Sequence, residues 1–401
     1  MERIEERFVR YIKIDTEADE NSTSYPSSLK QLDLAKLLYK ELKELGIEVE
    51  LDEWGLVYAK IPGDDTLPKI GLIAHMDTAP TIRGGNFEPR FVYNYDGKDI
   101  KLNDVYTLST KQFPHLLNLV NKTLIVTDGD HLLGGDDKAG VAIIMAIAEY
   151  FAKNKDIKHA PIRICFTPDE EIGAGADHFD VKKMDADIAY TIDGGESSEI
   201  NYENFNAAGA TLKIKGVGIH PGSAKDIMIN ALLLGIEFNN QLDPNAIPGK
   251  TENYEGFYHL CDMKGDVEYC ELNYIIRDHD LNKLKEKEEH MKKVASLLKE
   301  KYPTSEIELS ISEQYQNMKY YFEKDDTAIK YITKAYDLAG VKYSFNPIRG
   351  GTDGARITYM GLPCPNIGTG DRCCHGRYEH VVVEEMYEVF EVVKTLLTLK
   401  Q

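Results

Sequence analysis

The stretch Ile70-Gly71-Leu72-Ile73-Ala74-His75-Met76-Asp77-Thr78 decides the fold class. Residues 70–74 form a short apolar run, and the run closes on a histidine and an aspartate spaced two apart. Residues i and i+2 of a strand share a face, so Asp77 is placed to orient His75 through its second ring nitrogen. On either side lie comparable runs at 47–51, 56–61, 162–166 and 188–192. Between them come helical patterns. From Ser27, Leu29, Leu32, Ala35, Leu38, Leu42 and Leu45 recur at helical spacing until Gly46, and residues 138–151 form an apolar helix. Strands alternating with helices predict an α/β sheet covered on both faces. Residues 78–121 read as a long irregular stretch, a length that usually serves function.

The pattern changes near Ala208. A strand at 210–217, a helix at 226–241, a strand pair at 256–263 and 267–277 joined by Lys264-Gly265-Asp266, a charged helix at 281–302 and a strand at 306–312 follow. That order, β-α-β-β-α-β, is ferredoxin-like. After Asn317 the α/β pattern resumes, with helices at 325–339 and 352–360 and a short strand at 342–345. The reading is one α/β domain made from residues 1–207 and 317–401, with 208–316 inserted. Ligands are expected where the strands of the main sheet end, beneath the insert.

Composition narrows the partners. With 47 Lys plus Arg against 67 Asp plus Glu, the 401-residue chain carries a net charge of −20. That charge excludes a nucleic-acid binder and docking on an anionic membrane. No apolar stretch suits a signal peptide or membrane span. The six Cys, at 165, 261, 270, 364, 373 and 374, form no C-x-x-C, which predicts reduced thiols in the cytoplasm.

Chemistry gathers at the ends of the apolar runs. Besides His75 and Asp77, Gly134-Gly135-Asp136-Asp137-Lys138-Ala139-Gly140 opens the apolar helix, and Thr167-Pro168-Asp169-Glu170-Glu171 follows the run 162–166. Asp193 ends the run 188–192, and His375 stands in Cys373-Cys374-His375-Gly376-Arg377. Adjacent carboxylates on a turn point apart, so one of Glu170 and Glu171 can hold a metal while the other works as a base. Two imidazoles and several carboxylates satisfy two ions, one carboxylate bridging, and suit zinc or a similar divalent cation. His178 and Asp180 repeat the H-x-D spacing but read as a solvated loop.

These segments resemble the M20 family of metallopeptidases, and within it the tripeptide aminopeptidases. The resemblance covers essentially the whole chain. It is carried by Ile73-Ala74-His75-Met76-Asp77-Thr78, Leu132-Leu133-Gly134-Gly135-Asp136-Asp137-Lys138-Ala139-Gly140, Phe166-Thr167-Pro168-Asp169-Glu170-Glu171-Ile172-Gly173, Gly218-Ile219-His220-Pro221-Gly222 and Arg349-Gly350-Gly351-Thr352-Asp353-Gly354. It implies an α/β two-zinc catalytic domain with an inserted lid or dimerisation domain, which would make a homodimer. It implies two Zn2+ per subunit, replaceable by Co2+ or Mn2+. His75, Asp136 and Asp193 would bind one ion and Asp136, Glu171 and His375 the other. Asp77 would orient His75, and Glu170 would be the general base. His220, Arg277 and Arg349 would contact substrate, a short peptide with a free N-terminus. The implied reaction releases the N-terminal residue of a tripeptide. The rivals are another activity of the family (dipeptidase, carboxypeptidase or N-acyl-amino-acid deacylase) or a silent peptide-binding protein.

Two positions depart from the resemblance: Gly135 replaces an alanine, and Cys373-Cys374 replaces an Asn-Phe-type pair. The second departure offers a thiolate as a rival zinc ligand.

Overall fold

The computed structural model describes residues 1–399, which divide into two compact units. The first comprises Met1–Tyr202, Tyr320–Asn346 and residues from Thr352 on; the second comprises Glu203–Lys319 and Pro347–Gly351.

The first unit is built on an eight-stranded sheet. Its order is Glu48–Leu51, Val57–Ile61, Ile162–Thr167, Ile70–His75, Ile188–Ile192, Asn366–Ile367, Glu199–Asn201 and Ser344–Phe345. The three central strands, 162–167, 70–75 and 188–192, run parallel, and every residue of each is buried. Burial on both sides explains why they read as continuous apolar runs rather than alternating ones. On one face, Ile73, Cys165 and Ala189 pack with Phe179, Met184, Ile357 and Leu362. On the other, the helix Gly135–Lys153, apolar from Ala139 to Ala148, lies against strand 70–75 and is flanked by helices Ile4–Ile12 and Val383–Leu397. Because the central strands are parallel, their carboxyl ends lie at one edge of the sheet, where His75 pairs opposite Thr167.

Residues 78–121 are more ordered than the sequence suggests. Arg90–Val92 joins Leu124–Val126, His380–Val382 and Asp371–Arg372 in a small antiparallel sheet. Tyr95, Ile100, Leu102, Leu108, Leu116 and Leu119 close a separate core beneath it.

The second unit is a four-stranded antiparallel sheet in the order Phe257–Gly265, Tyr269–Asp278, Asn206–Lys215, Glu306–Tyr315. Helices Ala231–Asn240 and Leu281–Lys301 cover one face. Along Tyr269–Asp278 every second side chain is buried, as a sheet with one covered face requires.

Two helix starts differ from expectation. The helix expected from Asp226 begins at Ala231, because the Asn230 side chain accepts hydrogen bonds from the amides of Leu232 and Leu233 and caps it there. The helix expected from Ser27 begins at Gln31, and Leu29 is 74% exposed. Ser27 is drawn away by the buried Asp169 carboxylate, which accepts from its amide and its hydroxyl.

Leu272 is fully buried at the centre of the second unit's core, whereas Leu233 on the covering helix is 61% exposed. Leu272→Ala is expected to cost about 2–5 kcal/mol of that unit's stability. Leu233→Ala should stay within about 0.5 kcal/mol. Urea unfolding of both variants beside the parent checks the contrast.

Candidate metal centre

Three parallel strands and one helix entry bring the predicted residues together. His75 is the last residue of its strand. Glu170 and Glu171 open a short 3-10 turn three residues beyond strand 162–167. Asp193 directly follows strand 188–192, and Asp136 lies in the irregular first turn of helix 135–153, joined to Asp137 by a cis peptide bond. The Asp136 carboxylate spans the two imidazoles: Oδ1 is 2.9 Å from His75 Nε2, and Oδ2 is 3.1 Å from His375 Nε2. Asp193 Oδ1 lies 3.7 Å from His75 Nε2, and Glu171 Oε2 lies 2.9 Å from His375 Nε2. All five residues predicted as ligands are therefore assembled around one shared carboxylate.

Asp77 is fully buried beneath them. Its backbone oxygen lies 3.1 Å, and its Oδ1 3.3 Å, from His75 Nδ1. Its two carboxylate oxygens accept the amides of Glu170 and Glu171, each at 3.1 Å. With Nδ1 held by Asp77, the Nε2 of His75 is the nitrogen turned toward Asp136 and Asp193.

The two acidic pairs separate by partner. Asp137 comes within ligating range of His75 and Asp193, but its oxygens accept the amides of His75 (3.2 Å) and Gly140 (3.1 Å). Asp136, whose oxygens face the imidazoles, is the shared group. In the D-E-E run, Asp169 turns away to Ser27 and Gln31, leaving Glu170 and Glu171 on the site side.

Three buried acids escaped the sequence reading. Glu379 accepts the amides of Gly134 (2.7 Å) and Asp136 (3.1 Å) and so fixes the loop that presents Asp136. Asp353 accepts from the Thr167 hydroxyl at 2.9 Å. Asp371 accepts from the Cys374 thiol at 2.8 Å, which occupies the thiol offered as a rival ligand. Asp353 stood in a quoted motif, but nothing local marks Glu379 or Asp371 as buried.

The charge balance asks for cations. Burial pushes the Glu171 carboxyl up to about 7 and Asp353 up to about 6, and raises Glu170 and Asp193 well above the ordinary range. Hydrogen bonds to Asp136 and Glu171 push the His375 imidazole up to about 11. Glu171 Oε1 is buried with no hydrogen-bond partner. Oxygen and imidazole donors in this excess fit divalent ions, and His75, Asp136, Asp193, Glu171 and His375 are the residues that could hold them.

The remaining predicted residues belong to the second unit. His220 is exposed, and its Nδ1 accepts the Gly222 amide at 3.1 Å, which leaves Nε2 as the nitrogen able to donate. Arg277 lies over the Tyr315 ring, and its Nη1 donates to the carbonyls of Ala208 and Ile276. Arg349 spends both η nitrogens within its own unit, on the carbonyls of Asn253 and Glu255 and on Thr251, above the Phe205 and Phe257 rings. That clamp holds the guanidinium within its own unit in this structure.

The sequence model of peptidase family M20/M25/M40 matches residues 127–399. The chain belongs to that family. Peptidase T of Clostridium perfringens is 48% identical over 402 residues, covering 100% of this chain and 99% of the relative. Two solved structures share the family fold. Aminopeptidase PepT of Bacillus cereus superposes with a TM-score of 0.77 at 22% identity, covering 99% of this chain and 97% of that one. A dinuclear metal-binding M20 peptidase of Bacillus subtilis gives 0.66 at 14%, covering 98% and 96%. Among the described residues no helix is long and apolar enough to cross a membrane.

Glu379 tests the loop geometry. Glu379→Ala removes the acceptor for two backbone amides, one of them that of Asp136, without altering a candidate ligand's side chain. It should weaken zinc binding by about 10- to 100-fold, read by competition with a chromophoric chelator.

Proposed function

We propose that the chain is a metallo-aminopeptidase that removes the N-terminal residue from tripeptides in the cytoplasm, using two zinc ions. The observation that carries this reading is the single Asp136 carboxylate shared between His75 and His375, with Asp193 and Glu171 on the respective sides. In the proposal His75, Asp136 and Asp193 hold one ion, and Asp136, Glu171 and His375 hold the other. Bound there, the ions would supply Lewis-acid polarisation of the scissile carbonyl and a lowered pKa for the attacking water.

The protein's own groups do the rest. Asp77 keeps His75 in one tautomer and anchors the turn that aims Glu170. Glu170 takes the proton of the attacking water and delivers it to the leaving amine. Its burial among Asp193, Asp353 and Glu171 raises its proton affinity, which suits a base that must also act as an acid. His220 is the proposed donor to the oxyanion, through its Nε2–H, and Arg277 the proposed partner of the peptide's carboxylate. Surplus acidic groups favour a substrate with a charged amino end. The peptidase T relatives, and a Staphylococcus aureus structure named a tripeptidase, with a TM-score of 0.77 at 20% identity, support the choice of tripeptides.

Removing metal with a chelator should abolish turnover of a free tripeptide, and zinc, cobalt or manganese should restore it. Undiminished turnover in protein shown metal-free by elemental analysis rejects the proposal.

Acetylating the substrate's amino group should cost far more rate than changing its first side chain, because a charge-binding group is then left unpaired. Equal cleavage of acetylated and free tripeptides shifts the assignment to a deacylase or carboxypeptidase.

The two glutamates should separate on mutation. Glu171→Ala is expected to lose metal. Glu170→Gln should keep it and lose about 10²–10⁴ in rate, mainly in kcat rather than KM. Metal content by mass spectrometry beside steady-state kinetics on one tripeptide checks both halves. The opposite pattern exchanges the two roles.

A further inference from the structure

A second cluster of metal-ligating side chains lies in the first unit, outside the five residues assigned above. His115, Cys373 and His380 bring their ligand atoms within 4.8 Å of one another. His115 sits in the 3-10 turn Pro114–Leu119, and Cys373 directly follows strand Asp371–Arg372. His380 opens strand His380–Val382, where it pairs opposite Arg372. None of the three takes part in the proposed hydrolysis.

The two imidazoles face each other through Nε2, 3.1 Å apart, with ring planes within 5°. His380 is completely buried, and its Nδ1 donates to the Tyr378 carbonyl at 2.8 Å. That bond leaves the lone pair on Nε2, the arrangement in which a histidine ligates a metal. Burial pushes the His380 imidazole down to about 4, which favours the neutral ring, and its Nε2 lone pair accepts the proton of His115 Nε2 in the metal-free protein. Two imidazole nitrogens about 2.0–2.1 Å from one tetrahedral ion stand about 3.3 Å apart, close to the spacing here. The adjacent cation, Arg372, is neutralised by a two-pronged pair with Glu385 at 2.8 and 3.0 Å.

We propose that His115, Cys373 and His380 form a further metal site for a zinc-class divalent ion, bound through one thiolate and two imidazoles. Sulfur with nitrogen donors selects zinc or cobalt over magnesium or calcium. Binding displaces the Cys373 thiol proton to solvent. The proton that His115 Nε2 shares with His380 in the metal-free protein moves to His115 Nδ1. The ion ties the 114–119 turn to the hairpin that carries His375.

Cobalt is the probe, because only a thiolate ligand gives an intense near-ultraviolet sulfur-to-cobalt charge-transfer band, and the five-residue centre contains no sulfur. Metal-free full-length protein carrying Cys261→Ser, which removes the exposed thiol of the second unit, is titrated with Co2+ under reducing conditions. The band is expected in this parent and in its Cys374→Ser derivative, and lost in Cys373→Ser and in His115→Gln. The zinc-loaded Cys373→Ser protein should carry one zinc fewer than the parent by native mass spectrometry. No thiolate band in the parent, a band lost with Cys374 but not Cys373, or a band unchanged in His115→Gln overturns the site. Because the readout is a sulfur band, failure of the proposed peptidase chemistry leaves it unmoved.

Discussion

Asp77 is the constraint on which the rest of the centre depends. A carboxylate with no exposure is costly unless its lone pairs are satisfied, and here they are satisfied by the two segments that must be aligned. One side faces His75 Nδ1, and the same two oxygens accept the amides of Glu170 and Glu171. The orientation of the imidazole and the position of the acidic turn therefore cannot vary independently. Glu379 repeats the device on the facing loop through Gly134 and Asp136, and Asp137 repeats it through the amides of His75 and Gly140. Three buried acids thus bind backbone, so that the five residues in front of them present side chains at fixed separations.

That arrangement concentrates negative charge far beyond what two imidazoles neutralise. His375 and His75 are driven toward protonation by their carboxylate neighbours, while burial drives Glu170, Glu171, Asp193 and Asp353 toward the neutral acid. A fold that maximised stability alone would not place so many acids at one strand edge, because unpaired buried charges are strongly destabilising. The surplus is intelligible as a donor set for cations. It also reverses on binding: a bound divalent ion favours ionised carboxylates and unprotonated imidazoles.

The main sheet was legible in the sequence because burial on both faces leaves a plain mark, the short apolar run closed by a polar residue. His75, Asp193 and the Glu170-Glu171 turn were legible because they stand where such runs end, and Asp136 because it opens an apolar helix, whereas His375 lies in a connection between two short strands. What stayed hidden turns on partners distant in the chain. Ser27 sits in a helix-like pattern yet is taken by Asp169, 142 positions away. Nothing in the D-E-E run itself says that its first member faces backward. Arg349 stands beside two glycines, as a ligand-contacting residue would, yet its donors are consumed by carbonyls at 253 and 255. Residues 78–121 read as irregular because their strands are only two or three residues long and show no period.

Backbone conformation carries the argument one step further. Asp169, Cys373 and His375 all adopt the left-handed region, each with φ of 60°, which is uncommon for residues other than glycine. Such conformations cost of order 1–3 kcal/mol each and persist where the surroundings over-determine them. At Asp169 the over-determination is visible: its carboxylate accepts from Ser27 and Gln31 while its own amide donates to Gln31. At His375 the Thr81 hydroxyl donates to the carbonyl at 3.2 Å, and Nε2 meets both Asp136 and Glu171. Asp169 redirects the chain directly before Glu170, Cys373 does so two residues before His375, and His375 is itself left-handed. A sheet edge alone would send side chains alternately up and down; these reversals let acids and imidazoles from separate connections converge on one carboxylate.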